Sequence, residues 1–299
     1  MSAPAPVDTA GLVASSLRLI VELQDPSGAY PASPTFSAYQ GYSWFRDGAF
    51  IADAASAAGE IASAEAFFDW CARVVLAERG RIEAIVAAAS TGAPLPDDRM
   101  LPTRFRFDGT VGDDEWWDFQ LDGYGTWLWA LGEHLARTGG DGARWAEAAA
   151  LCIDYLESSW HRPCFDWWEE HVEQVHGSTL GCIAAGLRAA AAMPAVDEAR
   201  RSAAASTAEL ALARLRDLGV VDGHLAKWVG DARVDGSLAS LIGPIRVIEG
   251  DDPIAIATLE RIESELTVDG GVHRFVGDTF YGGGQWPLLR CLLGLAWIA

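Results

Sequence analysis

Long apolar runs are missing from this sequence. No stretch of eighteen apolar residues occurs, so no membrane-spanning helix is expected and a membrane is not an expected partner. The first residues, Met1 to Asp8, contain neither a basic segment nor an apolar one. A secretory leader is therefore not expected, and the cytoplasm is the expected compartment. Cysteine is sparse and scattered: Cys71, Cys152, Cys164, Cys182 and Cys291 form no paired CxxC motif. An odd, dispersed set reads as reduced thiols packed as small apolar residues, and zinc binding is not expected. Basic residues are also in short supply, 22 against 42 acidic ones, for a formal net charge of -20. So negative a field repels nucleic acid and anionic lipid, which leaves a neutral small molecule as the natural ligand. No GxGxxG follows a strand-like segment, and no Walker or HExxH motif occurs. Gly282 to Gly284 lack the Lys and Ser/Thr that a phosphate loop requires. Neither a metal nor an organic cofactor is expected.

What is present is helix. Half of the 299 residues are hydrophobic, enough for a sizeable core. Ala-rich stretches with apolar residues at helical spacing are broken by Gly/Pro loops. The pattern predicts helices over roughly 8–24, 46–59, 63–91, 120–138, 142–160, 177–192, 196–218, 235–242, 251–266 and 283–299. Strand-like alternation is confined to short hairpins expected near Arg104–Gly109 and Gly271–Phe275. Short loops pair the helices without a fixed repeat period, and no polar linker divides the chain. The expectation is one all-α domain over residues 1–299.

Thirteen tryptophans are a high count, and several stand next to acidic residues in the loops between helices. Trp44, Trp116, Trp117, Trp167, Trp168, Trp228 and Trp286 belong to that set. Each is either core filling or an aromatic face for a ligand. The sharpest segment is Phe165-Asp-Trp-Trp-Glu-Glu-His171. A carboxyl packed by indoles is desolvated, which raises its pKa and suits a general acid. The alternative is an acidic cluster that merely favours a helix start. Arg46-Asp47 reads in two ways as well: an ion pair at a helix start, or a donor fork and an acceptor for sugar hydroxyls.

Five segments together resemble glycoside hydrolase family 15, the glucoamylases. They are Gly41-Tyr-Ser-Trp-Phe-Arg-Asp-Gly-Ala-Phe50, Gln120-Leu-Asp-Gly-Tyr-Gly125, Asp166-Trp-Trp-Glu-Glu170, His176-Gly-Ser-Thr-Leu-Gly181 with the helix it opens, and His273 through Trp286. Each motif is weak to moderate alone; their order across residues 41–299 makes the resemblance. It implies an (α/α)6 toroid of the six-hairpin glycosidase type. It implies exo-acting hydrolysis with inversion, releasing β-glucose from the non-reducing ends of short α-glucosides such as isomaltose and maltooligosaccharides. By the same resemblance Glu169 is the general acid and Glu170 binds sugar in the leaving-group subsite. Arg46, Asp47 and Arg274 would hold hydroxyls, Trp44, Trp168 and Trp286 would wall the pocket, and Tyr124 would pack its floor.

The sequence also departs from that pattern. The family's general base is a Glu in a Pro-Glu-Gln-like loop beyond the Gly-rich segment, and no such loop follows Gly284. The sequence closes on the apolar Leu292-Leu-Gly-Leu-Ala-Trp-Ile298 with no capping signal. The expectation is therefore a toroid lacking its last helix pair and its base, with an uncovered C-terminal face open to self-association. Asp278, Asp114 and Glu115 are the candidate substitutes for the base. A carbohydrate-binding protein without turnover is the alternative to an enzyme.

Overall fold

Three of the helices start on an aspartate whose carboxylate accepts a backbone N–H of the first turn. Asp8 accepts from Gly11, Asp197 from Arg200, and Asp252 from Ile254, each over 2.9–3.0 Å. Pro253 follows Asp252 at the first helical position, where a missing N–H costs nothing. The computed structural model describes residues 8–299. In chain order its elements are α1 (Thr9–Leu23), β1 (Tyr42–Trp44), α2 (Phe45–Ala57), α3 (Ile61–Ala77), α4 (Arg79–Ser90), β2 (Arg104–Arg106), α5 (Asp122–Thr138) and α6 (Ala146–Ser159). There follow α7 (Gly177–Ala191), α8 (Glu198–Leu218), β3 (Val220–Val221), β4 (His224–Leu225), α9 (Pro253–Leu266), β5 (Thr267–Val268), β6 (Gly271–Val272) and α10 (Pro287–Trp297).

The helices form two layers. α5 and α7 are buried around most of their circumference, which only an inner layer allows. α2 packs on α5, α5 on α7, α7 on the 3-10 helix Gly236–Leu241, and that segment on α10. Outside them, α3, α6, α8 and α9 bury one stripe each and cover the inner layer. Glycine permits the closest approach within the inner layer. A Cβ at Gly186 would stand 2.2 Å from the Gly125 carbonyl oxygen, so α5 and α7 meet backbone to backbone. At the two ends of the described chain, Leu12, Val13 and Leu19 of α1 are exposed, as are Leu288, Leu295 and Trp297 of α10 and the following Ile298.

Four local expectations are corrected. The helix read over 63–91 is two helices, α3 and α4, separated at Glu78; Gly80, a poor helix former, stands at the start of the second. The segment 235–242 is a six-residue 3-10 helix, begun by Asp235 and ended before Gly243-Pro244, too short for an α-helix to nucleate alone. Arg104–Arg106 pairs with Tyr42–Trp44, sixty residues back in the chain, and Arg106–Thr110 forms only the turn beyond it. The second hairpin is β5–β6, so Gly271 and Val272 are its returning strand rather than its start.

Candidate active site

Residues at the start of α2 and in the loops that precede α7 and α10 surround a cavity of roughly 390 Å³. β1 brings Trp44, and the first turn of α2 brings Arg46 and Asp47. The loop before α7 brings Trp167, Trp168 and Glu169, and the loop before α10 brings Arg274, Phe280 and Trp286. Seven of the eight residues singled out in the sequence line this cavity: Trp44, Arg46, Asp47, Trp168, Glu169, Arg274 and Trp286. Glu170, the eighth, stands behind the wall, where its Oε1 accepts from Arg274 Nη2 over 3.2 Å. Tyr124 is not in the lining; its ring packs in the core against Phe45 and Tyr155 and its hydroxyl donates to the Pro102 carbonyl.

Glu169 sits in a tight turn. Asp166 N–H donates to the Glu170 carbonyl and Glu169 N–H to the Asp166 carbonyl, while Asp166 Oδ1 accepts from the N–H groups of Trp168 and Glu170. Glu169 and His171 both take left-handed backbone, at φ 65° and 56°. For a non-glycine residue that costs about 1 kcal/mol or more, and it persists only where the surroundings impose it. The imposed geometry aims the Glu169 side chain at two indoles. Its Oε1 accepts from Trp44 Nε1 at 2.9 Å and from Trp116 Nε1 at 3.0 Å, with Gln120 Nε2 at 3.4 Å. Burial raises the Glu169 pKa above the ordinary glutamate value; the indole donors and the Arg46 charge oppose that without cancelling it.

Arg46 is held from below. Its Nη1 donates to Gln120 Oε1 at 2.7 Å and to Asp122 Oδ2 at 2.9 Å, and its Nε lies 3.5 Å from Asp47. Asp122 is fully buried and forms the floor charge under the guanidinium. Asp47 opens on the cavity with 45% of its side chain accessible. The surrounding protein raises its pKa, and Arg46 works against that rise. Opposite, Arg274 Nε donates to Asp278 Oδ2 at 2.7 Å, and its guanidinium lies 5.3 Å from the Trp168 ring and 5.8 Å from the Trp286 ring.

Sequence reading missed several groups. Trp116, in the sequence one loop tryptophan among several, is a donor to Glu169. Its ring is one face of a sandwich with Tyr42 around the Arg104 guanidinium, 4.0 Å from each ring, and Arg104 pairs with Asp114 at 2.7 Å. Gln120 bridges Glu169 and Arg46. Lys227, buried, donates to Asp166 at 2.8 Å and to Asp235 at 2.6 Å. Of the substitute bases, Asp278 is closed off: Arg274 and the Phe280 N–H occupy its oxygens. Asp114 is tied to Arg104 and Tyr42, which hold its pKa down at about 2. Gln285 turns to the β5–β6 hairpin and donates to the Val268 carbonyl. Among the described residues no group of three or more His, Cys, Asp or Glu side chains gathers as a metal site would. Among the described residues no helix is long and apolar enough to cross a membrane.

Comparison with known proteins identifies the family and the fold. The family model for glycosyl hydrolases family 15 matches residues 6–292. The isomaltose glucohydrolase of Kribbella flavida is 50% identical over 287 residues, covering 95% of this chain and 74% of that protein. An uncharacterized glycosyl hydrolase of Methanocaldococcus jannaschii is 25% identical over 291 residues, covering 94% of this chain and 43% of that protein. A glycosidase variant solved in complex with glucose superposes with a TM-score of 0.93 at 46% identity, covering 97% of this chain and 81% of its own. The glucoamylase of Saccharomycopsis fibuligera shares the fold, with a TM-score of 0.70 at 17% identity over 97% of this chain and 73% of its own. The two-layered helical body is thus the (α/α)6 toroid of these enzymes, and the chain belongs to glycosyl hydrolases family 15.

Proposed function

We propose that this protein is an exo-acting hydrolase of short α-glucosides, with isomaltose as the first substrate to test. One observation carries the reading. Of the two carboxyl groups in the lining of a sugar-sized cavity, that of Glu169 has its Oε1 fixed by two indole donors and its pKa raised by burial. The second oxygen is then the one that carries the proton, and a protonated carboxyl aimed at a glycosidic oxygen is a general acid. Arg46 and Arg274 supply fixed donor forks and Asp47 an acceptor for the hydroxyls of a terminal glucose. Trp44, Trp168 and Trp286 offer apolar faces to the ring. Glu170 acts at the leaving-group side, with Arg274 between it and the cavity. The names and ligands of the relatives, an isomaltose glucohydrolase and a glucose-bound glycosidase, support the same substrate class.

Release of β-glucose by inversion needs a second carboxylate roughly 6.5–9.5 Å from the acid, with water between. Among the described residues the cavity lining offers Glu169 and Asp47 as its carboxylates, and Asp47 is engaged beside Arg46. That observation favours a second reading: sugar binding by residues 1–299 without turnover. Glucose release from isomaltose, maltose and trehalose, with the anomer read by NMR, separates the two. Early β-glucose means an inverting site with a base in reach. Saturable glucose binding by calorimetry with no release from folded protein means binding alone. Neither binding nor release refutes both readings.

Five free thiols, four of them buried, support a reducing compartment such as the cytoplasm. The exposed Leu295, Trp297 and Ile298 would support self-association through the α10 face, which sedimentation at rising concentration tests.

A further inference from the structure

Lys227 lies outside the cavity, buried with its ammonium 3.9 Å from the centre of the Phe275 ring. It has two anionic partners from different segments. Asp166, at 2.8 Å, closes the turn that carries Glu169. Asp235, at 2.6 Å, starts the inner 3-10 helix and accepts from the Trp168 indole, 3.0 Å from each oxygen, and from the N–H and hydroxyl of Ser237. The three charges are all but closed to solvent: Lys227, Asp166 and Asp235 each keep 2% of their surface. A buried ion pair is weak evidence for stability, because desolvation offsets most of the attraction. It is a strong constraint on geometry, since removing one partner leaves an unpaired buried charge.

The placement of this triad assigns it a task. The turn at 166–170 holds Glu169 in left-handed backbone and has no regular ladder to brace it. Through Asp166 Oδ1, the Trp168 and Glu170 amides depend on one carboxylate, and the other oxygen of that carboxylate is tied to Lys227. Through Asp235, the same lysine holds the acceptor of the Trp168 indole.

We infer that Lys227, with Asp166 and Asp235, is a positioning device that fixes the Glu169 turn and the Trp168 wall against the inner helices, so that the Glu169 carboxyl stays on the Trp44 and Trp116 donors. Its consequence for catalysis rests on the hydrolase reading above; its consequence for geometry does not.

The test reads Glu169 directly, by carbon NMR titration of protein labelled at the glutamate carboxyl carbon, with the resonance assigned by its loss in Glu169→Gln. The groups bearing on Glu169 are Arg46 from α2, Trp44 from β1, and Trp116, Asp118 and Gln120 from the segment before α5. Two variants are titrated, Lys227→Met and Asp235→Asn. If the triad positions the turn, each variant loosens it and weakens the indole donors. The Glu169 midpoint then rises in both, by roughly half a pH unit or more, since hydrogen bonds to the charged form are lost. If the triad acts only through its charge, the two variants remove charges of opposite sign and the midpoints move in opposite directions. If it serves stability alone, the midpoint stays while the melting temperature falls. A rise in both supports the inference, and any other pattern overturns it. Should either single variant fail to fold, the double variant, which loses one charge of each sign, is titrated with the same criterion. Isomaltose turnover is followed in parallel, with kcat expected to fall about 100-fold for a displaced acid. A wild type without turnover sinks the hydrolase reading and leaves the titration able to decide the role of Lys227.

Discussion

The Trp44 indole and the Glu169 carboxyl, 125 residues apart in sequence, share a hydrogen bond of 2.9 Å across the mouth of the cavity. The bond fixes which oxygen of Glu169 is occupied and which is left for a proton. It also stabilises the charged form, so it tempers the pKa rise caused by burial.

Replacing Glu169 by Gln removes the transferable proton and leaves the shape. The expected outcome is a fall in kcat of about 10²–10⁴-fold with glucose binding retained. Steady-state kinetics and calorimetry on the same preparation check it. Unchanged turnover would refute the assignment of the acid.

In the proposed role of general acid Glu169 must be protonated to act, so kcat is expected to fall as pH rises through the Glu169 pKa. Burial raises that pKa, which places the falling limb above the pH where an ordinary glutamate loses its proton, about 4.3. In Trp44→Phe one donor to the carboxylate is gone, and the limb moves further up. A pH–rate profile that does not shift, or shifts down, contradicts the hydrogen bond as the cause.

Arg274→Lys keeps the charge and loses the fork that reaches Asp278 and Glu170 at once. Glucose affinity is expected to weaken by about tenfold, the equivalent of roughly one charge-assisted hydrogen bond. Calorimetric titration with glucose reads this, and an unaltered affinity would remove Arg274 from the binding set.

Asp118 has a buried Oδ1 without a hydrogen-bond partner, and burial pushes its pKa up to about 6. A carboxyl with a folded-state pKa above its unfolded value binds more protons when folded. Its contribution therefore worsens as pH rises from about 4 to 6 and stays unfavourable above. Asp118→Asn removes that penalty. Its melting temperature is expected to exceed that of the wild type by a few degrees at pH 7.5 and to match it near pH 4. Differential scanning calorimetry at the two pH values decides, and equal increments at both would count against the argument.

Gly186→Ala tests the contact that builds the inner layer. The added Cβ would meet the Gly125 carbonyl at 2.2 Å, a backbone atom that moves only with its helix. A loss of about 1–3 kcal/mol is expected from the forced separation of α5 and α7, read from urea unfolding. No loss would mean that the two helices part without cost.

Much of this was legible in the residues. Helical spacing and Gly/Pro breaks placed α5, α7, α8 and α9 within a few residues of their ends, because a helix is encoded by neighbours within one or two turns. The Trp44–Asp47, Asp166–Glu170 and His273–Trp286 segments were also visible, since each keeps its residues contiguous. Their meeting around one cavity was not written in any one segment. Neither was the turn at Glu78, which lets both α3 and α4 pack on α6.

The sequence by itself determined the all-helical class, the strongly acidic net charge and seven of the residues that line the cavity. Only the tertiary structure decided that Trp116 and Trp44 converge on one oxygen of Glu169, that Arg104 is clamped between Tyr42 and Trp116, and that Lys227 joins Asp166 to Asp235. Such links join side chains dozens of residues apart through a single hydrogen bond or ring face. A lone Lys or Trp leaves no periodic trace in a sequence, and its partner is chosen by the packing of whole helices.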